Sequence, residues 1–199
     1  MMQSTFNRLA GELFCNLLHQ FGFTNQGSQH LTYYRTTSEG VYHVVAPSLG
    51  RSGTWYCVRV FPHSPHIDPQ FDSRFPDRLG IPTDSWSCLS EHDGVNLTQQ
   101  QFNCKSEENL RKRFERTVAP LLANVALPYL DQFQAVPDIL PVIRHSSFLG
   151  FALHHLGRTA EAEVILRSER ERLIRFRSND PDVTALLGHV ERFAGLNVP

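Results

Sequence analysis

Eight apolar residues near the start of the chain, Phe6, Leu9, Ala10, Leu13, Phe14, Leu17, Leu18 and Phe21, recur in an i, i+3, i+4, i+7 rhythm. That rhythm has the period of an α-helix and puts all eight on one stripe, which must be covered by some other surface. Gly22 follows where a helix C-cap needs a left-handed residue, so the helix ends there. Everything downstream has to supply the cover for this stripe.

The cover is written immediately after Gly27, where the texture changes to β-branched and aromatic residues. Leu31–Thr37, Val41–Ala46 and Thr54–Phe61 are three such runs, separated by Ser38-Glu39-Gly40 and by Leu49-Gly50-Arg51-Ser52-Gly53. Runs of this kind joined by Gly-rich turns predict an antiparallel meander. Alternation sends Val41, His43 and Val45 to one face and Tyr42, Val44 and Ala46 to the other. One face takes the first helix, and the other is expected to be open.

Pro62, Pro65, Pro69, Pro76 and Pro82 make residues 62 to 84 a long ordered loop and not sheet, because proline has no ladder donor and a fixed φ. Trp86–Ser90 reads as a fourth strand, closed by His92-Asp93-Gly94. Ser106 is an N-cap with Glu107 and Glu108 in the first turn, opening a helix through Leu110, Phe114, Val118, Leu121, Leu122 and Val125. Pro120 and Pro128 each remove a helical hydrogen bond and predict a bend or break. The remainder is helical: Phe148–His155, a tight turn at Gly157-Arg158-Thr159, Ala160–Arg177, and a last helix from Asp180-Pro181 to Gly195. The fold class is therefore α+β: an antiparallel meander of three to four strands backed by helices, with a C-terminal helical hairpin and a terminal helix. Residues 1–141 are read as the sheet domain and 142–199 as a helical extension packed on it.

Two resemblances attach to these residues. The order of amphipathic helix, Gly22-Phe23, Tyr34-Arg35, meander, the Trp86 strand and the Leu127-Pro-Tyr-Leu-Asp-Gln-Phe133 segment resembles a bacterial family known as domain of unknown function 4304, over roughly residues 4 to 140. The resemblance implies a helix-backed antiparallel sheet in a partner-binding, antitoxin-like protein, and it brings no catalytic residues. Leu149-Gly150, Gly157, Ala162 and Leu166 are similar to the small and large positions of one tetratricopeptide unit, which implies a helical hairpin packed on the main domain, since a solenoid needs about three such units.

Composition narrows the function. A formal net charge of −1 offers no basic field for nucleic acid or an anionic membrane. No apolar run approaches the ~20 residues of a membrane span, and Arg8, Glu12 and Asn16 interrupt the N-terminal stretch at helical spacing, so a cytoplasmic protein is expected. Cys15, Cys57, Cys88 and Cys104 are scattered, with no Cys-x-x-Cys pair, which predicts reduced thiols. Charge is uneven along the chain. From Val60 to Cys104, six acids (Asp68, Asp72, Asp77, Asp84, Glu91 and Asp93) face two arginines (Arg74 and Arg78), a balance of −4. Mixed with Phe71, Phe75 and Trp86, this stretch fits a surface that meets a basic partner.

The chemical candidates are few. His63, His66 and Asp68 are the one metal-like cluster, although their loop lacks the helical His-Glu-x-x-His arrangement of hydrolytic zinc sites, and surface histidines are the preferred reading. His154 and His155 are adjacent on a helix and point about 100° apart. Cys57 and His43 could form a nucleophile and base if they met on neighbouring strands. No common catalytic motif is present, and no catalytic residue, metal or cofactor is expected. These observations predict a non-enzymatic protein-binding module, of the immunity or antitoxin type if the family resemblance is followed, with a basic toxin as the partner. Its expected contacts are Tyr34, Arg35, Asp68, Asp72, Phe75, Asp77, Asp84 and Trp86. The alternatives are a tetratricopeptide-like adaptor for a peptide and a metal-dependent hydrolase built on His63, His66 and Asp68.

Overall fold

The computed structural model describes residues 1–25, 31–68, 101–175 and 181–193. Helix α1, Gln3–Leu18, continues into a 3-10 turn, His19–Phe21. It ends on Gly22 at φ 77°, where the Gly22 N–H donates to the His19 carbonyl and the Phe23 N–H to that of Leu18. These two bonds are a Schellman motif, with Leu18 and Phe23 buried in the same cluster as its apolar clasp. Of the eight stripe residues, Phe6, Leu9, Ala10, Phe14 and Leu18 are fully covered, Leu13 and Leu17 are half-buried at the margin, and Phe21 is exposed.

The stripe packs on a four-stranded antiparallel sheet of order β1-β2-β3-β4, made of Tyr33–Thr36, Tyr42–Leu49, Trp55–His63 and Phe102–Asn103. The meander is as expected, with Tyr34 opposite Val44 and Val44 opposite Phe61. The fourth strand is Phe102–Asn103, paired to Tyr56 and Trp55. The expected Trp86–Ser90 strand lies outside the described residues. Alternation divides the faces as predicted: Tyr33, Val45, Tyr56, Val58 and Val60 join the α1 core, and Tyr42, Val44 and Ala46 join Tyr34 and Phe61 in a second cluster. That second face is not open, since Tyr34, Val44, Ala46 and Phe61 keep at most 8% of their surface.

After the Ser106 cap, whose hydroxyl accepts from the Asn109 N–H at 3.2 Å, one helical run extends to Leu130. It comprises α2 (Glu107–Arg113), a π turn (Phe114–Val118), α3 (Ala119–Leu121), a second π turn (Leu122–Ala126) and α4 (Leu127–Leu130). The break expected at each proline is absent. The Ala119 N–H reaches back five residues to the Phe114 carbonyl, and Leu127 does the same to Leu122, just ahead of Pro120 and Pro128. A carbonyl four residues before a proline meets a ring and no donor, so opening the turn by one residue lets the helix run past it.

The π turns also solve a packing problem. Leu110, Phe114, Val118, Leu122, Ala126 and Leu130 recur every four residues, and all are buried in the α1 core. In a pure α-helix a four-residue repeat drifts by about 40° per step, which over the whole run would carry Leu130 to the far side from Leu110. A π turn, at roughly 4.4 residues, drifts the other way and brings the stripe back to the sheet.

A second core joins Val41 and Ile67 to α5 (Val136–Ile139), α6 (Ser146–His155), α7 (Thr159–Arg175) and α8 (Pro181–Phe193). It draws Phe133, Val136 and Ile139 from before residue 141 and Phe148, Phe151 and Leu166 from after it. The hairpin of α6 and α7 turns at Gly157, φ 74°, and closes so tightly that a Cβ on Gly150 would lie 2.5 Å from Leu166. Inside it Glu169, 3% exposed, accepts from Ser147 at 2.9 Å and from both forks of Arg172. Among the described residues no helix is long and apolar enough to cross a membrane.

Candidate functional site

Tyr34 and Arg35 are internal connectors. Tyr34 is buried against Val44, Ala46 and Phe61, with its ring 5.9 Å from that of Tyr42. Arg35 leaves the edge strand to bind three elements at once. Its Nε donates to His43 Nδ1 at 3.1 Å, one terminal nitrogen to the Phe21 carbonyl at 3.3 Å, and the other pairs with Asp131, while the guanidinium covers the Phe23 ring at 4.9 Å. His43 completes the network through Nε2, 2.7 Å from the Phe133 carbonyl. Since Arg35 can only donate, His43 Nδ1 must accept and Nε2 must carry the proton. Burial holds the His43 pKa below its usual range, and Arg35 pushes the same way against the Phe133 carbonyl and Asp131. His43 is thus a neutral strut. Cys57 is five ladder positions away, opposite Ser48, and on the other face, so the imagined thiol and imidazole pair does not form.

The His63, His66 and Asp68 cluster divides. His63 ends β3 fully buried, with Nε2 3.4 Å from an Asp68 oxygen that is itself nearly covered. His66 swings out to stack on His155 of α6, ring centroids 3.9 Å apart. Among the described residues no group of three such side chains could hold a metal ion. Asp68 is a buried partner of an imidazole, unlike the exposed contact its sequence setting suggested. Asp72, Phe75, Asp77, Asp84 and Trp86 lie outside the described residues. His154 meets the edge of Phe193, so the two adjacent histidines take separate neighbours, as their helical spacing requires.

The feature that sequence inspection passed over lies on the outer side of α2 and its π turn. Asn109, Lys112, Arg113, Arg116 and Thr117 form a stripe at i, i+3, i+4, i+7 and i+8, opposite the buried Leu110 and Phe114. With Asn103 of β4 they line a cleft of about 340 Å³. Among the described residues no carboxylate and no imidazole lines it. Arg113 donates to the Thr117 hydroxyl at 3.4 Å, and the Asn103 carbonyl oxygen is taken by the Lys105 N–H at 3.0 Å, leaving the Asn103 amide donors free of that bond. Among the described residues neither Lys112, Arg113 nor Arg116 has an acidic partner, whereas Arg8 and Arg111 are paired with Glu107 and Glu12. Arg113 is also the cation acting on the Tyr56 hydroxyl, which is fully buried without a hydrogen-bond partner; burial is the main force raising that pKa, and Arg113 opposes it. The signal was present in the sequence as five nitrogen- or hydroxyl-bearing residues at helical spacing with no acid among them.

Comparison with family models, curated proteins and solved structures finds no match. The likeness to domain of unknown function 4304 thus rests on its local motifs. What the cleft offers chemically follows from its described donors: positive charge and hydrogen-bond donors that suit an anion.

Proposed function

We propose that this protein is a non-enzymatic protein-binding module that takes an acidic segment of its partner into the α2 cleft. The observation that supports this reading is a set of three cations that have no carboxylate partner among the described residues and stand around one cleft, whereas Arg8, Arg111, Arg167 and Arg170 are each tied to an acid. Cations left without a counter-charge are disposed for one that arrives from outside, and such complementarity steers association. π turns are also common at functional positions. The immunity or antitoxin role is the narrower form of this proposal and comes from the family resemblance. The sequence also carries an acidic stretch with Asp72, Asp77 and Asp84, opposite in sign to the cleft, which suits a partner of mixed charge.

The test is a double charge reversal, Lys112→Glu with Arg116→Glu. Both side chains are exposed, so thermal unfolding should match wild type within about 0.5 kcal/mol. Partner capture from cell extract, and its salt sensitivity, should fall at least about tenfold. A partner held equally by wild type and the reversal variant, with equal salt slopes, would place binding elsewhere on the molecule.

A further inference from the structure

We infer that the ligand group of the α2 cleft is a dianionic phosphate, carried as a phosphomonoester. This rests on the cleft being a binding site, and it specifies the chemistry that fills it. Lys112, Arg113 and Arg116 bring three positive charges to one small cleft with no anion among its described lining residues. One carboxylate would leave most of that charge uncompensated, whereas a phosphate with close to two negative charges neutralises most of it.

Donor geometry points the same way. Two guanidinium forks, one ammonium, two carboxamides and a hydroxyl offer more donors than the two oxygens of a carboxylate can accept. A phosphate presents three acceptor oxygens, and arginine forks match phosphate edges in pairs. The positions are set by rigid elements. Asn109, Lys112 and Arg113 stand on α2, Arg116 and Thr117 on its π turn, and Asn103 on β4, which is hydrogen-bonded to β3. The Thr117 hydroxyl is held toward Arg113 in advance, and the Asn103 amide is fixed through its own oxygen. A polar stripe carried on a helix whose opposite side is packed into the core does not need to be ordered on binding, which lowers the cost of association.

The phosphate could be a phosphorylated side chain on the partner or a small phosphate ester, and the experiment separates these. Inorganic phosphate is titrated into ¹⁵N-labelled protein at constant ionic strength, with acetate as the comparison, following the backbone amides of 103–117. Saturable shifts are expected for phosphate and none beyond a weak salt effect for acetate. The phosphate affinity should fall at least about fivefold in Arg113→Gln and in Arg116→Gln, since each loses one charge-assisted fork. It should also weaken roughly threefold or more between pH 7.5 and 5.5, because the second ionisation, near pH 6 in a phosphomonoester and about one unit higher in inorganic phosphate, is reversed over that range. Captured partner is then compared with and without phosphatase treatment of the extract. Loss on treatment assigns the phosphate to the protein partner, and unchanged capture beside saturable phosphate binding assigns it to a small ester. If phosphate and acetate act alike, or phosphate binding is unchanged by the glutamine variants or by pH, the dianion assignment is overturned. The protein-binding reading is judged separately by the charge-reversal capture.

Discussion

At the scale of single residues, polar groups that sequence inspection would send to a surface or an active site are used here to tie elements together. Arg35 links the edge strand, the end of α1 and the end of α4, and lysine could not replace it, since an ammonium cannot reach three partners in one plane. His43 depends on this arrangement. A second proton on its Nδ1 would face the Arg35 N–H, so charging it breaks the network as well as costing desolvation. The sign for stability follows. The His43 pKa is lowered by folding, so between the unfolded value, about 6.5, and the folded one the unfolded chain binds more protons. Stability from this group is full above about pH 6.5 and is lost as pH falls through the folded value. His155 and His189 are shifted in the same direction by burial, so the decisive quantity is a difference of slopes. His43→Gln, whose amide can donate to the Phe133 carbonyl and accept from Arg35, should give a flatter dependence of unfolding free energy on pH between 7 and 5 than wild type. Parallel slopes in urea melts across that range would show that His43 charges freely in the folded state.

At the scale of elements, α1 could be read from periodicity because one face is buried and the other is not, whereas β2 and β3, buried on both faces, could be read from their runs of β-branched and aromatic residues between Gly-containing turns. The long run from Glu107 to Leu130 could not be read correctly by the same rule, since Pro120 and Pro128 signal a break to any α-helical template. What overrides them is the four-residue recurrence of Leu110, Phe114, Val118, Leu122, Ala126 and Leu130, a period that belongs to neither a strand nor a regular α-helix. The short β4 was missed because two residues carry too little pattern, and the cleft because its stripe is polar and resembles an ordinary solvated face. The π turns give a direct prediction. A proline inside an α-helix costs about 3 kcal/mol relative to alanine, but here the carbonyl that would clash is already directed past the ring. Pro120→Ala should therefore change stability by less than about 1 kcal/mol, and any loss would come from a more flexible unfolded chain. A gain approaching 3 kcal/mol in denaturant melts would mean that the proline strains the native helix and that the π turn relieves nothing.

At the scale of the whole molecule, the two large cores meet along the end of the sheet. Val41 and Ile67, from either side of β2 and β3, belong to the helical core, and Tyr129 packs against both cores. Phe148 of α6 stands at this junction. It is 3% exposed, with its ring edge-on to His63 at the end of β3 and 5.2 Å from His145. Such sharing makes unfolding of one core expose apolar surface of the other, which is the physical basis of a single cooperative transition. Phe148→Ala should destabilise the molecule by about 3 to 5 kcal/mol, the range for removing a buried phenyl ring. Native-state hydrogen exchange locates the loss. In a cooperative molecule the slowest amides of β2 and β3 lose protection by the same free energy as those of α7, because both exchange through the same global opening. Loss confined to α6, α7 and α8, with β2 and β3 protected as in wild type, would instead make the C-terminal helices a separate unit that can leave the sheet without unfolding it.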